Sequence, residues 1–400
     1  MDKLQQKTVL LAPTGRAAKV LAAYSGFAAY TVHKRIYRQK SIGEDRFSLS
    51  YNSAQDTTFI VDEASMIANI GSETNNFGTG RLLDDLIQYV FSGHNCSLIL
   101  IGDDAQLPPI GQTDSPALNT EWLQGYGLNV HSYTLIQVAR QALESGILKN
   151  ATMLRERLTQ GDTSELPVFD TQGFNDICLR SGQDLTEDIE QAYREAGIEE
   201  TIIVTRSNRR MNMYNQAVRA RILWKEEELT GGDRLMVTKN NYFWTRHYEG
   251  IEFLANGDIV QVLRLRNTRE IYGYRFADAS LRAIDYDWEI DAVVWLDTLF
   301  TLSPEDNYLM QKTLFTRITE DYPEISSKKK LTETIMQTPY YNALHVKHAY
   351  AVTCHKAQGG QWKRVFIDQA GIKEEQADAD YYRWLYTAIT RATEKVFIIS

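Results

Sequence analysis

An α/β protein with parallel sheets and one inserted all-β module is predicted by three observations. Short apolar, β-branched runs recur along the chain with helical stretches between them, the pattern of strands joined by crossover helices. These runs lack the polar alternation of a half-exposed strand, as strands buried on both faces do. From Gly231 to Leu296 the alternation stops, and "GDRLMVT", "NGDIVQVLRL", "IYGYRF" and "AVVWL" follow one another with turn residues between, which reads as a small module of barrel type.

In chain order, Thr8 to Ala12 is the first buried strand. Pro13-Thr14-Gly15 is a turn, and the Ala-rich stretch Arg16 to Tyr24 is a helix. Residues 34–55 are polar, and "SIGEDRFSLSYNS" reads as a hairpin. Thr58 to Val61, Ser97 to Ile101, Ile202 to Val204, Val365 to Ile367 and Val396 to Ile399 are strands. Arg81 to Phe91, Gln141 to Leu158, Asn208 to Trp224 and Asp378 to Arg391 are helices. Ser303 to Gln337 is helical and charged, with Ser326 to Lys330 as a solvated turn. The implied organisation is a first parallel-sheet domain over 1–136 with the hairpin at 34–55 inserted in it. The first part of a second such domain covers 137–230, the β module with its helical extension covers 231–340, and the rest of the second domain covers 341–400.

Four hundred residues exceed one ordinary domain, and 43% hydrophobic with 24% charged residues is enough to build cores. No run approaches the length of a membrane span, and Cys96, Cys178 and Cys354 are too few and too scattered for a disulfide framework or zinc cluster. These features predict no membrane association and a cytoplasmic location. The net charge of −9 works against a protein that coats duplex DNA through bulk charge, though not against a narrow basic channel.

Two motifs carry chemistry. In "FIVDEASMI" a buried strand delivers Asp62 and Glu63 at its C-terminal end, where ligands of open α/β sheets bind. Asp62 suits the water shell of Mg²⁺, and Glu63 suits polarising an attacking water. The plain alternative is a strand end running into a helix N-terminus, where acids are also favoured. In "LILIGDDAQLPPIG" a second such strand ends in a turn, and Gln106 precedes a rigid Pro108-Pro109 pair. A neutral amide on a stiff loop can sense a γ-phosphate without competing for Mg²⁺. The alternative there is a Pro-rich connector.

DEAS, GDDAQLPPIG, "HKAQGGQW" (355–362) and "LYTAITRA" (385–392) stand in the order found in superfamily 1 DNA helicases. "APTGRAAKVL" resembles motif Ia of that group, and "TVHK" (31–34) resembles the TIH of its RecD and Dda branch. Nearly the whole chain thus resembles a Dda-type or RecD-like helicase. The resemblance implies two RecA-like motor domains with an inserted SH3-like barrel, ATP and Mg²⁺ as cofactors, and a monomeric motor. That motor would move 5′ to 3′ on single-stranded DNA and open a duplex fork. It implies that Arg140, in "VARQALESGIL", and Arg391 reach the γ-phosphate, that Gln358 and Gly359 face the nucleotide, and that Thr353, His355 and Lys356 touch DNA phosphates. Pro13, Thr14 and Arg16 would form one single-strand contact and Thr31 and His33 another. Asn208 either caps its helix or touches phosphate, and His355 is either a phosphate contact or a structural histidine. Cys354 reads as packing. The hairpin matches the pin that splits the duplex, with Phe47 a candidate there. Tyr242, Phe243, Trp244 and Trp362 are candidate base stackers, not separable from core residues by sequence.

The family's phosphate loop, ending in Gly-Lys-Ser/Thr, is not found in the sequence. A buried strand as early as Thr8 is also expected to have a further strand and that loop before it. The resulting expectation is an N-terminally truncated, ATPase-defective helicase. The rivals are an ATP-independent single-strand binder and a P-loop NTPase without nucleic acid.

Overall fold

The computed structural model describes residues 7–39, 47–71, 77–135, 145–248, 253–284 and 288–400. The chain divides into two compact units. One holds residues 1–38, 48–211 and 351–400, and the other holds 39–47 and 212–350.

The first unit contains two parallel sheets. In the four-stranded sheet, Lys7–Ala12 lies between Ala29–Thr31 and Thr57–Val61, with Ser97–Leu100 outside the latter. Both neighbours of the first strand therefore come from residues that follow it. Leu11, Phe59 and Val61 are fully buried, as a doubly covered sheet requires, and Leu86 and Val90 of the helix Leu82–Ser92 are buried with them. The register pairs Leu11 with Val61 and Val61 with Leu100, so the loops after these three strands leave from one end of the sheet. Thr14 starts the helix Gly15–Ser25 by accepting the Ala17 N–H at 3.2 Å, and Gly26 ends it at φ 73°.

The five-stranded sheet runs Ala351–Thr353, Thr201–Thr205, Trp362–Asp368, Ala392–Ile399, Ile177–Arg180, all parallel. Helix Ala379–Ile389 buries most of its residues beside helix Gly146–Gln160. The segment expected as one helix from Asn208 to Trp224 is an α-helix to Ala217 and a π-turn over Val218–Ile222. Its N-terminal cap is Ser207, whose Oγ accepts the Arg210 N–H at 3.3 Å, so the capping role assigned to Asn208 falls one residue earlier. The expected hairpin is present as the paired strands Tyr37–Gln39 and Phe47–Leu49, preceded by a short helix, Val32–Ile36. Its tip, 40–46, lies outside the described residues.

The second unit is built on a closed five-stranded barrel in the order Ile259–Ile271, Tyr274–Ala283, Glu289–Trp295, Leu344–His348, Arg234–Val237. Val260, Val262, Leu281, Val294 and Val346 fill it. The unit is wider than the 231–340 read from sequence, because its closing strand comes from Leu344–His348. That strand, LHVKH, hides its burial behind polar letters: His345, Lys347 and His348 are each under 9% exposed. Each has a local partner for one polar atom, while His348 Nδ1 is buried without one. His345 Nε2 lies 2.8 Å from Gln311 Oε1, His348 Nε2 lies 3.1 Å from the Glu228 carbonyl, and Lys347 donates to the carbonyls of Leu299 and Thr301. Helices Pro304–Thr319 and Lys328–Ile335 cover Phe276 and Trp295 with Leu314, Ile318 and Ile335. The SSKKK segment is not a solvated turn: Ser327 Oγ accepts the Lys330 N–H and the lysines open a helix.

Candidate functional site

The carboxyl ends of the first sheet's strands carry the two acids. The Asp62 N–H donates to the Leu11 carbonyl at 2.9 Å, which ties the residue to the neighbouring strand. Asp62 Oδ1 accepts the Glu63 N–H at 2.9 Å, and Glu63 takes a left-handed φ of 51°. This turn separates the two carboxylates at the mouth of the sheet, both half-buried. Among the described residues no group of three or more His, Cys, Asp or Glu forms a metal cluster. A lone carboxylate at a strand end suits Mg²⁺ that keeps most of its waters, so Asp62 fits the ion it was assigned.

Arg391 approaches Glu63. It is 3% exposed, Nε donates to the Thr387 carbonyl at 3.0 Å, Nη2 donates to Thr390 Oγ1 at 3.1 Å, and Nη1 lies 3.8 Å from Glu63 Oε1. Gln106 is buried, and its Oε1 is an acceptor with no hydrogen-bond partner. A buried orphan of this kind marks a place where a donor is due. Its loop is clamped from the second sheet's side. Thr387 Oγ1 accepts the Leu107 N–H at 2.9 Å, and Gln358 Nε2 donates to the Leu107 carbonyl at 2.8 Å. Gln358 thus serves the Gln106 loop. Gly359, at φ 72°, packs so closely that a Cβ there would stand 2.8 Å from the Ala17 Cβ. Arg140 lies in 136–144, outside the described residues.

Sequence reading missed three contributors. Arg155, on helix Gly146–Gln160, donates Nη1 to Asp103 at 2.9 Å and Nη2 to Asp104 at 3.2 Å. The Tyr386 hydroxyl donates to Asp103 at 2.6 Å, and burial together with that carboxylate pushes its pKa well above the usual tyrosine range. Thr387 adds the bond already named. The two acids of GDDAQ and the tyrosine of LYTAITRA were visible, but no sequence signal paired them with an arginine from a separate helix.

The assigned single-strand contacts fare unequally. The hydroxyls of Thr14 and Thr31 both cap helices, Thr31 by accepting the Lys34 N–H at 3.1 Å. The Arg16 guanidinium lies 4.1 Å over the Trp362 ring and donates to the Gln361 carbonyl at 3.3 Å, which leaves Trp362 only 3% exposed and removes it as a stacker. Pro13 begins the loop at the strand end, half-buried. His33 is enclosed by Tyr37 and Phe77, with ring centroids at 5.7 and 5.0 Å, and burial lowers its pKa to about 4. It is neutral at pH 7 and unsuited to hold phosphate by charge. Thr353 ends its strand without a side-chain capping bond, His355 is half-buried with its pKa lowered by burial and by Lys356, and Lys356 keeps exposed surface although desolvation lowers its pKa to about 8. Cys354 is buried, its thiol pushed up to about 12, and is inert packing. In the second unit, Phe47 stacks at 4.6 Å on Tyr242, which stacks at 4.8 Å on Phe253, while Phe243 meets Trp244 edge-on.

Comparison with known proteins follows the same outline. Residues 1–174 match the AAA domain family, and residues 348–399 match the UvrD-like helicase C-terminal domain. Uncharacterized protein R530 of Acanthamoeba polyphaga mimivirus is 20% identical, covering 99% of this chain and 90% of that protein. A Pif1 helicase chain from a structure described for DNA unwinding at forked double-stranded DNA superimposes with a TM-score of 0.51 at 15% identity, covering 99% of this chain and 82% of that one. Pif1 helicase from Bacteroides, solved with ADP-AlF3 and single-stranded DNA, is 13% identical with a TM-score of 0.46, covering 98% of this chain and 82% of that one. The first superposition shows a shared RecA-like parallel-sheet fold, and the two family matches each cover part of the chain.

Proposed function

We propose that this chain is the motor body of an ATP-dependent superfamily 1 DNA helicase of the Dda and RecD-like type, which binds single-stranded DNA and advances 5′ to 3′ into a duplex fork. One observation carries the reading: Arg391 lies 3.8 Å from Glu63, the neighbour of Asp62, while Thr387 of the preceding helix and Gln358 both bond Leu107 of the Gln106 loop. ATP with Mg²⁺ would supply the phosphoryl chemistry. Asp62 would hold the ion's water shell and Glu63 would accept a proton from the attacking water. The Gln106 amide would report the γ-phosphate to the second sheet through Leu107, and Arg391 would exchange its contact with Glu63 for phosphoryl oxygens. Arg140 keeps its assignment as a second guanidinium. The aromatic stack Phe47–Tyr242–Phe253 offers a brace for a strand-splitting hairpin.

The sequence contains no Gly-Lys pair, so the lysine that would cradle the β- and γ-phosphates is not among these residues. We therefore expect single-strand binding by this chain without ATP turnover, and DNA-stimulated turnover by a version to which such a loop is joined. Hydrolysis assays on both, each with Glu63→Gln, decide the matter. Turnover in the loop-supplied version that E63Q abolishes supports the motor; binding without turnover in both versions supports the ATP-independent binder instead.

A further inference from the structure

Between Lys7 and Gln39 the chain carries six lysines and arginines and no aspartate or glutamate, within a protein of net charge −9. The same stretch holds three large, solvent-facing rings: Tyr24 is 73% exposed, Phe27 57% and Tyr30 40%. Isolated exposed aromatics are ordinary, but three within seven residues, on a stretch with basic and no acidic residues, are not. Their placement is built. Ser25 Oγ accepts the Phe27 N–H at 3.2 Å and holds the turn that presents Phe27. Tyr30 lies on the outer strand Ala29–Thr31, with the Lys34 ammonium 5.9 Å from its ring. The Tyr24 hydroxyl and an Arg16 nitrogen converge on Gln361, at 3.5 and 3.3 Å. Rings with one face in water beside cations match a polyanion that carries flat, unpaired bases. A protein partner would call for apolar surface without this excess of one charge.

We propose that Tyr24, Phe27 and Tyr30 form a ledge that stacks the unpaired bases of single-stranded DNA while Arg16 and Lys34 attend its phosphates. The proposal rests on the reading that this chain binds single strands, and it names residues that no motif assigns. Stacking on such rings ignores base identity, so the ledge grips without reading sequence.

The test is fluorescence anisotropy at low salt with this 400-residue chain and two probes of equal length, an oligo-dT strand and an abasic deoxyribose-phosphate strand. Wild type is expected to prefer the base-bearing strand by roughly tenfold or more, and Tyr24→Ala/Phe27→Ala/Tyr30→Ala is expected to reduce that preference to parity with abasic affinity unchanged. The three single variants give the same readout in smaller steps should the triple variant fold poorly by thermal melting. Equal wild-type affinity for both probes, or a preference that survives in the variants, overturns the ledge. Binding to neither probe instead overturns the single-strand reading on which it stands.

Discussion

Asp233 has no exposed surface, and both of its oxygens are engaged. Arg219, Lys225 and the Tyr350 hydroxyl meet Oδ1 at 3.1, 2.9 and 2.9 Å, while Arg219 and the Thr230 N–H meet Oδ2 at 3.0 and 2.8 Å. Burial alone would raise its pKa, but these donors prevail and lower it to about 2. Arg219 is itself buried, so Asp233→Ala leaves a guanidinium without its counterion. The expected cost is about 3–5 kcal/mol, read as a fall in the chemical-denaturation midpoint. Because the folded pKa lies below the unfolded one, the stabilisation is complete above the ordinary carboxylate pKa and is lost as pH falls through 2. Arg391 shows a different use of burial. The Thr387 carbonyl and the Glu63 carboxylate fix its direction, an orientation that its place in TRA does not reveal.

At the scale of elements, backbone fit decides which loops can meet. The Gly359 φ of 72° and its approach to Ala17 leave no room for a side chain, and at Gly360 a Cβ would stand 2.5 Å from the Trp362 ring. Gly359→Ala is expected to cost about 1–3 kcal/mol and to weaken single-strand binding, since the displaced loop carries Gln358 and adjoins Lys356. Titrations with labelled oligonucleotide beside thermal melts check both effects; unchanged affinity and stability would mean the loop tolerates that shift. The barrel makes the complementary point. Four of its strands announce themselves by apolar alternation, whereas LHVKH closes it with three polar residues whose tips find partners inside.

At the scale of the molecule, three histidines are expected to weaken the fold in acid. Burial lowers His345 to about 3, His348 to about 4 and His33 to about 4. Each is depressed relative to its unfolded value, so the contribution is fully present above about pH 6.5 and is lost as pH falls toward the folded values. For the nearly inaccessible His345 and His348 the loss is on the order of 3 kcal/mol each. Urea midpoints at pH 7.5 and pH 5 should therefore differ markedly, with both units weakened at the lower pH. Equal midpoints would show these rings to be solvated.

The sequence alone determined the parallel α/β class, the barrel module, most strand positions, Asp62 and Glu63 at a strand end and Gln106 in the loop after another, because these features repeat along the chain or are written in contiguous letters. A strand buried on both faces must be apolar, and an acid that follows it must emerge at the carboxyl end of the sheet. Only the tertiary structure decided what depends on packing between distant segments. It caps helices with Thr14 and Thr31, packs a half-buried His33 against aromatic rings, and hides Trp362 under Arg16. It also brings Arg155 and Tyr386 to Asp103 and leaves Tyr24, Phe27 and Tyr30 in water. Whether a polar group is spent inside the fold or offered outside depends on which distant donor, acceptor or ring lies within reach, and that distance is set by how the sheets and helices pack.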